Sequence, residues 1–205
     1  MHCATTTRTN VSSVKSPSKP PSLPASARQA IRRLGIRPAR FALTVSIAKQ
    51  TMRLYEWVTA IQRDGAPPGY VFRRQYLVST SSFGIGQAAG SNRTPLGLHQ
   101  VSQKIGAGHP IGTVFRSRQP VGLTWRGRPT ATIAHRILWL EGLEPGFNRG
   151  GSVDTRNRYI YVHGFGDETT LGRPMSHGCI HLAASGLIPL FDRVPVGTLV
   201  WIDKG

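Results

Sequence analysis

Two short stretches of this 205-residue chain carry side chains that could do covalent chemistry. Arg158-Tyr159-Ile160-Tyr161-Val162-His163-Gly164 ends on an imidazole, and Met175-Ser176-His177-Gly178-Cys179-Ile180-His181-Leu182 sets a thiol directly behind a glycine. A thiol attacks carbonyl carbon only as the thiolate, and an imidazole within hydrogen-bond reach is the usual means of generating one near neutral pH. Cys179 is therefore the candidate nucleophile and His163 its candidate base. Gly178 permits a backbone with positive φ and leaves the sulfur open to a bulky substrate. The N–H groups of Gly178 and Cys179 could then face the oxyanion formed on attack. A third group, a side chain or a carbonyl, would fix the His163 tautomer.

Two other readings of the same residues stay open at this level. His177, Cys179 and His181 alternate, so in a strand they would share one face, with His163 as a fourth metal ligand. That set lacks the Cys-x2-Cys pairs of familiar zinc sites. Alternatively the cysteine is a buried free thiol and the histidines are satisfied packing groups, although a Ser-His-Gly-Cys run between glycines is an unusual way to fill a core. His135 reads as a packing or surface residue, and His99 and His109 give no signal.

Positioning these groups requires strands. Ile160 and Val162 fall on one face of an extended segment and Tyr159, Tyr161 and His163 on the other, with Gly164 opening the next loop. Ile180 and Leu182 continue from the cysteine as a further strand. Upstream, Phe41, Leu43, Val45 and Ile47 alternate with Ala42, Thr44, Ser46 and Ala48, the pattern of a half-buried strand. Lys49-Gln50-Thr51 turns into a second strand, Met52 to Val58, and Asp64 to Gly69 is a loop. Tyr70 to Ser79, Leu98 to Gln103 and the dense apolar run Arg136 to Leu140 are also strands. Residues 104–130 are rich in Gly, Pro and Arg without a period and predict a long surface excursion. Leu187 to Val194 predicts a brief helix, with Ser185 as cap and Pro189 tolerated in its first turn; Gly197 to Ile202 closes the sheet. Seven or eight strands against one helix predict a mainly β sandwich or barrel-like domain over residues 41–205.

Charge is unevenly spread. The chain carries 26 basic and 9 acidic residues, a net +17, and residues 1–40 contribute eight of the basic residues and no acid. Residues 1–25, with Ser16-Pro17-Ser18-Lys19-Pro20-Pro21, lack apolar periodicity and are predicted to be disordered. Ser26 would cap a short basic helix carrying Ala27, Ala30, Ile31 and Leu34 on one face, read as a solvated linker. This basic tail could contact an anionic envelope polymer or lipid. Nucleic acid is not the expected partner, because the aromatics do not interleave with the basic clusters. No apolar run reaches the roughly 18 to 20 residues that would span a bilayer, and residues 1–40 show neither a secretory signal nor the apolar run that would follow a twin-arginine pair. Cys3 and Cys179 are both expected as free thiols.

His163-Gly164 followed by Ser176-His177-Gly178-Cys179-Ile180 closely resembles the signature of the YkuD-type L,D-transpeptidases. The opening hairpin through Gln50, Thr94-Pro95-Leu96-Gly97, Arg136 to Leu140, Arg158 to Tyr161 and Val196-Gly197-Thr198 are similar to further landmarks of that family, so the resemblance covers about residues 41–203. It implies a YkuD-like β-sandwich of mixed sheets with one or two short helices. It also implies Cys179 as nucleophile, His163 as general base and later acid, Ser176 and His177 shaping the pocket beside Gly164, and Gly178 with Cys179 supplying oxyanion N–H groups. The implied reaction releases the terminal D-alanine of a peptidoglycan tetrapeptide stem, leaves a thioester on Cys179, and passes the acyl group to an amine of a second stem as a 3→3 cross-link. With water as acceptor the outcome would be an L,D-carboxypeptidase. No metal or organic cofactor is implied, and action in the cell envelope or periplasm is, with the cytoplasm as the alternative. Two departures bear on substrate binding. Phe165 stands where the family commonly has Thr, and His181 where it usually has Arg or Asn, so the carboxylate contact an Arg would give is weakened; Arg173, in the loop before the motif, is the candidate to compensate.

Overall fold

The computed structural model describes residues 22–60 and 67–205. Residues 1–21 of the stretch 1–25 expected to be disordered, the Cys3 thiol and the part of the Asp64 loop up to residue 66 lie outside the described residues; residues 22–25 do not fit that expectation, since Leu23 is buried and Ala25 opens a helix.

The described residues form ten strands: β1 (Phe41–Ser46), β2 (Thr51–Val58), β3 (Gly69–Ser79), β4 (Gly97–Ile105), β5 (Thr113–Arg116), β6 (Gln119–Leu123), β7 (Ala134–Gly142), β8 (Tyr161–Gly164), β9 (Ile180–Leu182) and β10 (Leu199–Asp203). Two α-helices, α1 (Ala25–Arg33) and α2 (Ala184–Arg193), pack on them. The strand order is β4-β10-β1-β2-β3-β9-β8-β7-β5-β6, and β4 also pairs with β7. That extra pairing closes the ladder from β4 round to β7 and leaves only the β5–β6 hairpin hanging off it. The β1–β10 and β8–β9 pairs are parallel and the others antiparallel. The fold is therefore mainly β, a sandwich of mixed sheet.

Strand alternation fills the space between the walls. Phe41, Leu43 and Val45 of β1, Met52 and Leu54 of β2, Leu138 and Leu140 of β7, Val162 of β8, and Ile180 and Leu182 of β9 share one cluster, and Leu187, Leu190 and Phe191 of α2 complete it. Helix α2 starts earlier than the pattern predicts, at Ala184. Ala183 stands at the N-cap and has no side chain that could cap; instead Glu168 Oε1 accepts the Ala184 N–H at 2.7 Å. Pro189 lies in mid-helix, and its missing N–H would have faced Ser185.

Two expectations are overturned. The segment 104–130 is not structureless: β5 and β6 form a hairpin whose turn residues Ser117 and Arg118 both have positive φ. That geometry usually draws Asn-Gly, so Ser-Arg carries no turn signal in the sequence. The basic helix is also not a solvated linker, and Ser26 does not cap it, since Pro24 holds the N-cap position. Leu23, Ala27, Ala30 and Ile31 are buried against Ala42, Tyr55, Leu98 and Leu199 on the outer face of β1, β2, β4 and β10. Helix α1 thus covers the second face of β1, which is buried on both sides rather than half-buried. Arg33, at the open side of α1, pairs with Glu144.

Because Ala27 is fully enclosed, Ala27→Asp would bury a charge with no partner. Urea unfolding should show a loss of about 3 kcal/mol or more, whereas a solvated linker helix would lose almost nothing.

Candidate active site

The parallel pairing of β8 with β9 sets Val162 opposite Ile180 and His163 opposite His181. Val162 and Ile180 point inward, so His163 and His181 fall on the outer face together. There Phe115, Ile137, Trp139 and Tyr161 form a second apolar cluster, and Cys179 packs against it from the turn before β9. His163 is buried among these groups, 2% exposed.

The His163 tautomer follows from one bond. Nδ1 lies 2.8 Å from the Gly164 carbonyl, which can only accept, so Nδ1 carries the proton. Burial also pushes His163 down to about 4, so the ring is neutral and Nε2 keeps a free lone pair. The third group sought in the sequence is this carbonyl.

The thiol is held by backbone. Tyr161 N–H donates to Cys179 Sγ at 3.4 Å, and Sγ donates to the Tyr159 carbonyl at 3.5 Å. Burial pushes Cys179 up to about 11, with the Tyr161 N–H and the Arg158 guanidinium acting in the opposite direction. The candidate base and the candidate nucleophile are therefore held as a neutral imidazole and a neutral thiol.

The cysteine turn is tied down at each carbonyl. Ser176 Oγ donates to the Cys179 carbonyl at 2.6 Å, and Thr94 Oγ1 donates to the Gly178 carbonyl at 3.1 Å. The Ser176 N–H in turn donates to the Thr80 carbonyl at 2.9 Å. Thr80 is gripped by the buried Gln50 amide, which accepts its N–H at 2.8 Å and donates to its hydroxyl at 2.7 Å. Gly178 has φ +117°, and a Cβ there would come within 3.2 Å of Ile160 and 3.3 Å of the Arg93 carbonyl. Its N–H is directed to Ser176 Oγ at 3.3 Å. Gly164 answers a different need: a Cβ there would lie 2.5 Å from the His135 ring.

The remaining expected residues separate. His177 is exposed and its ring sits 5.3 Å from that of Phe83; it lines a cavity of about 290 Å³ with Asn92, Asp154, Arg158 and Tyr159. His181 lies 4.8 Å from the His163 ring and 4.5 Å from Phe165, measured between ring centroids, and its Nδ1 is buried without a partner. Burial, followed by the neighbouring His163 and His177, pushes His181 down to about 3. Phe165 is buried. Arg173 is exposed and donates to the Thr169 carbonyl at 3.4 Å, within its own loop. The expected shared face of His177, Cys179 and His181 does not form, because the positive φ at Gly178 breaks the extended run and β9 starts only at Ile180. Among the described residues no three His, Cys, Asp or Glu side chains converge to hold a metal ion.

One contributor escaped the sequence reading. Arg158 donates to the Gly86 carbonyl at 3.1 Å and to the Arg93 carbonyl at 2.6 Å, pinning the loop before Thr94. It is also the cation that lowers the thiol. Its clue in the sequence is its place at the head of the Arg158 to Tyr161 stretch, to which residue type alone assigns no role.

A family model described as the L,D-transpeptidase catalytic domain, YkuD, matches residues 40–202. The chain belongs to the YkuD family. Among solved structures, Bd1075 from Bdellovibrio bacteriovorus is similar with a TM-score of 0.50 and 13% identity, over 81% of this chain and 48% of that one. L,D-transpeptidase 3 from Mycobacterium tuberculosis, solved with a faropenem-derived adduct, gives a TM-score of 0.44 at 17% identity over 80% and 60% of the two chains. This YkuD chain thus spans about half to three fifths of their length. No curated protein matches it. Among the described residues no helix is long and apolar enough to cross a membrane.

The buried histidines give this YkuD domain an acid-sensitive fold. His163 and the fully buried His99 are both held near 4 by burial, against about 6.5 in the unfolded chain. Between those values only the unfolded chain binds their protons, so stability falls as pH drops from 6.5 to 4, by about 3 kcal/mol for each ring. Urea midpoints measured from pH 7 to pH 4 should decline, and the decline should be shallower in His99→Asn.

Proposed function

We propose that this chain is a cysteine acyltransferase of peptidoglycan stem tetrapeptides, acting in the cell envelope where that polymer lies. The observation that carries the reading is a neutral imidazole whose Nδ1 proton is fixed on the Gly164 carbonyl, on the sheet face against which the backbone-held Cys179 thiol packs. That arrangement leaves Nε2 as the basic nitrogen of the ring, and the Tyr161 ring lies beside both His163 and Cys179.

In the proposed cycle, Cys179 Sγ turns from the Tyr159 carbonyl toward His163 Nε2 and gives up its proton as sulfur bonds to the carbonyl carbon of the third stem residue. The Tyr161 N–H and the Arg158 cation favour the charge developing on sulfur. With the Gly178 N–H engaged by Ser176 Oγ, the Cys179 N–H is the oxyanion donor of that pair. Collapse breaks the C–N bond, and Nε2–H protonates the departing amine of D-alanine. The thioester is then attacked by an amine of a second stem, whose proton passes to Nε2 and on to the departing sulfur. The product is a 3→3 cross-link and a regenerated thiol.

The test follows D-alanine release and dimer formation by mass spectrometry after incubation with disaccharide-tetrapeptides. Cys179→Ala should form neither product, and His163→Ala should slow release by about 10² to 10⁴-fold. Unchanged products from Cys179→Ala would overturn the nucleophile. Release without dimers would identify water as the acceptor and an L,D-carboxypeptidase instead.

A further inference from the structure

The flank of the thiol built from Trp139, Tyr159 and Tyr161 carries two arginines. Arg118 comes from the β5–β6 turn and Arg156 from the loop before β8. Their guanidinium carbons lie 4.9 Å and 4.7 Å from the Trp139 ring centroid. Arg118 also sits 5.1 Å from the Tyr159 ring and donates to Tyr161 Oη at 3.5 Å. Trp139 is fixed beneath them, because its Nε1–H donates to the Arg156 carbonyl at 3.1 Å. Tyr159 and Tyr161 are the residues whose backbone holds Cys179 Sγ, so this cationic flank adjoins the reacting sulfur.

Two cations over one indole repel each other, and among the described residues neither is within ion-pair distance of an Asp or Glu. Elsewhere on the molecule Arg40, Arg73 and Arg193 converge on one acid, Glu56. Stacking on an aromatic face holds a guanidinium in place while leaving its N–H edge free. That edge matches a carboxylate with two parallel bonds. His181 cannot serve in this way: it is tucked between His163 and Phe165. Arg173 is turned to its own loop.

We propose that Arg118 and Arg156, stacked on Trp139, are the carboxylate-recognition pair for the substrate of Cys179. This rests on the stem-peptide reading above, and the ligand chemistry is a carboxylate of the stem, either that of the terminal D-alanine or the free carboxylate of the glutamyl residue. The hairpin that brings Arg118 is then a specificity element as well as a flank of the site.

The test separates binding from turnover. Full-length Cys179→Ala protein is titrated calorimetrically with three disaccharide-tetrapeptides: one with both carboxylates, one amidated at the terminal D-alanine, and one amidated at the glutamyl residue. The diacid should bind about tenfold more tightly than one of the two amides, and the amide that loses affinity identifies the carboxylate held. Arg118→Gln and Arg156→Gln, each in the Cys179→Ala background, should lose that preference, while Arg118→Lys should restore part of it through charge without the planar edge. In otherwise wild-type protein the Gln variants should raise KM about tenfold for the diacid and leave KM for the sensitive amide unchanged. Equal affinity for all three stems, or Gln variants that weaken acid and amide alike, would overturn the carboxylate pair while leaving the acyltransferase reading intact. Binding of no stem at all would overturn that reading and this inference with it. A carboxylate preference without D-alanine release from wild type would overturn the reaction but keep the pair.

Discussion

The parallel register between β8 and β9 is the constraint on which the site depends. Val162 and Ile180 must both point inward to fill the core, and period-two geometry then has no choice about Tyr161, His163 and His181. A slip of one residue would turn His163 into the hydrophobic interior and expose two core residues. The energy that holds the chemistry in place is thus the burial of aliphatic side chains on the opposite face of the same strands. The parallel direction also explains the long connection between the two strands, since a hairpin cannot join them.

The cysteine turn needs a second kind of support, because no ladder holds it before Ile180. Its carbonyls are satisfied by Ser176 and Thr94, and Ser176 reaches through Thr80 to Gln50 at the β1–β2 turn. These groups are almost wholly buried, so each missing partner would leave a polar atom with no water to replace it. A network of this kind fixes Cys179 from hydrogen bonds made by residues far away in sequence, and it carries no charge that could compete with the thiol.

Electrostatically the site is unlike a preformed thiolate–imidazolium pair. Burial holds both His163 and Cys179 in their neutral forms. In the proposed cycle, proton transfer is therefore tied to attack on substrate, with Arg158 and the Tyr161 N–H placed to favour sulfur's charge. Such a resting state limits adventitious alkylation or oxidation of the thiol, since the thiolate is the reactive form.

Much of this was legible along the chain. The strand alternation in β1, β2 and β7, the Gly178 turn and the ordered motif around Cys179 each depend on local residue types, and together they point to a mainly β domain of the YkuD family with Cys179 and His163 on one face. What local pattern could not carry was anything depending on partners distant in sequence. Residues 104–130 concealed a hairpin because Ser117-Arg118 lacks the glycine that such turns usually use. The basic helix reads as solvated from its own residues because its partners, Ala42, Tyr55, Leu98 and Leu199, come from four separate strands. Arg158, Arg118 and Arg156 gained their meaning only from the groups beside them, one near a thiol and two over an indole. The sequence by itself determined which atoms could react and which faces of the strands had to be buried, since both follow from side-chain chemistry and a period of two. The tertiary structure alone decided the protonation states and the tautomer, because these depend on desolvation and on a carbonyl placed by the fold.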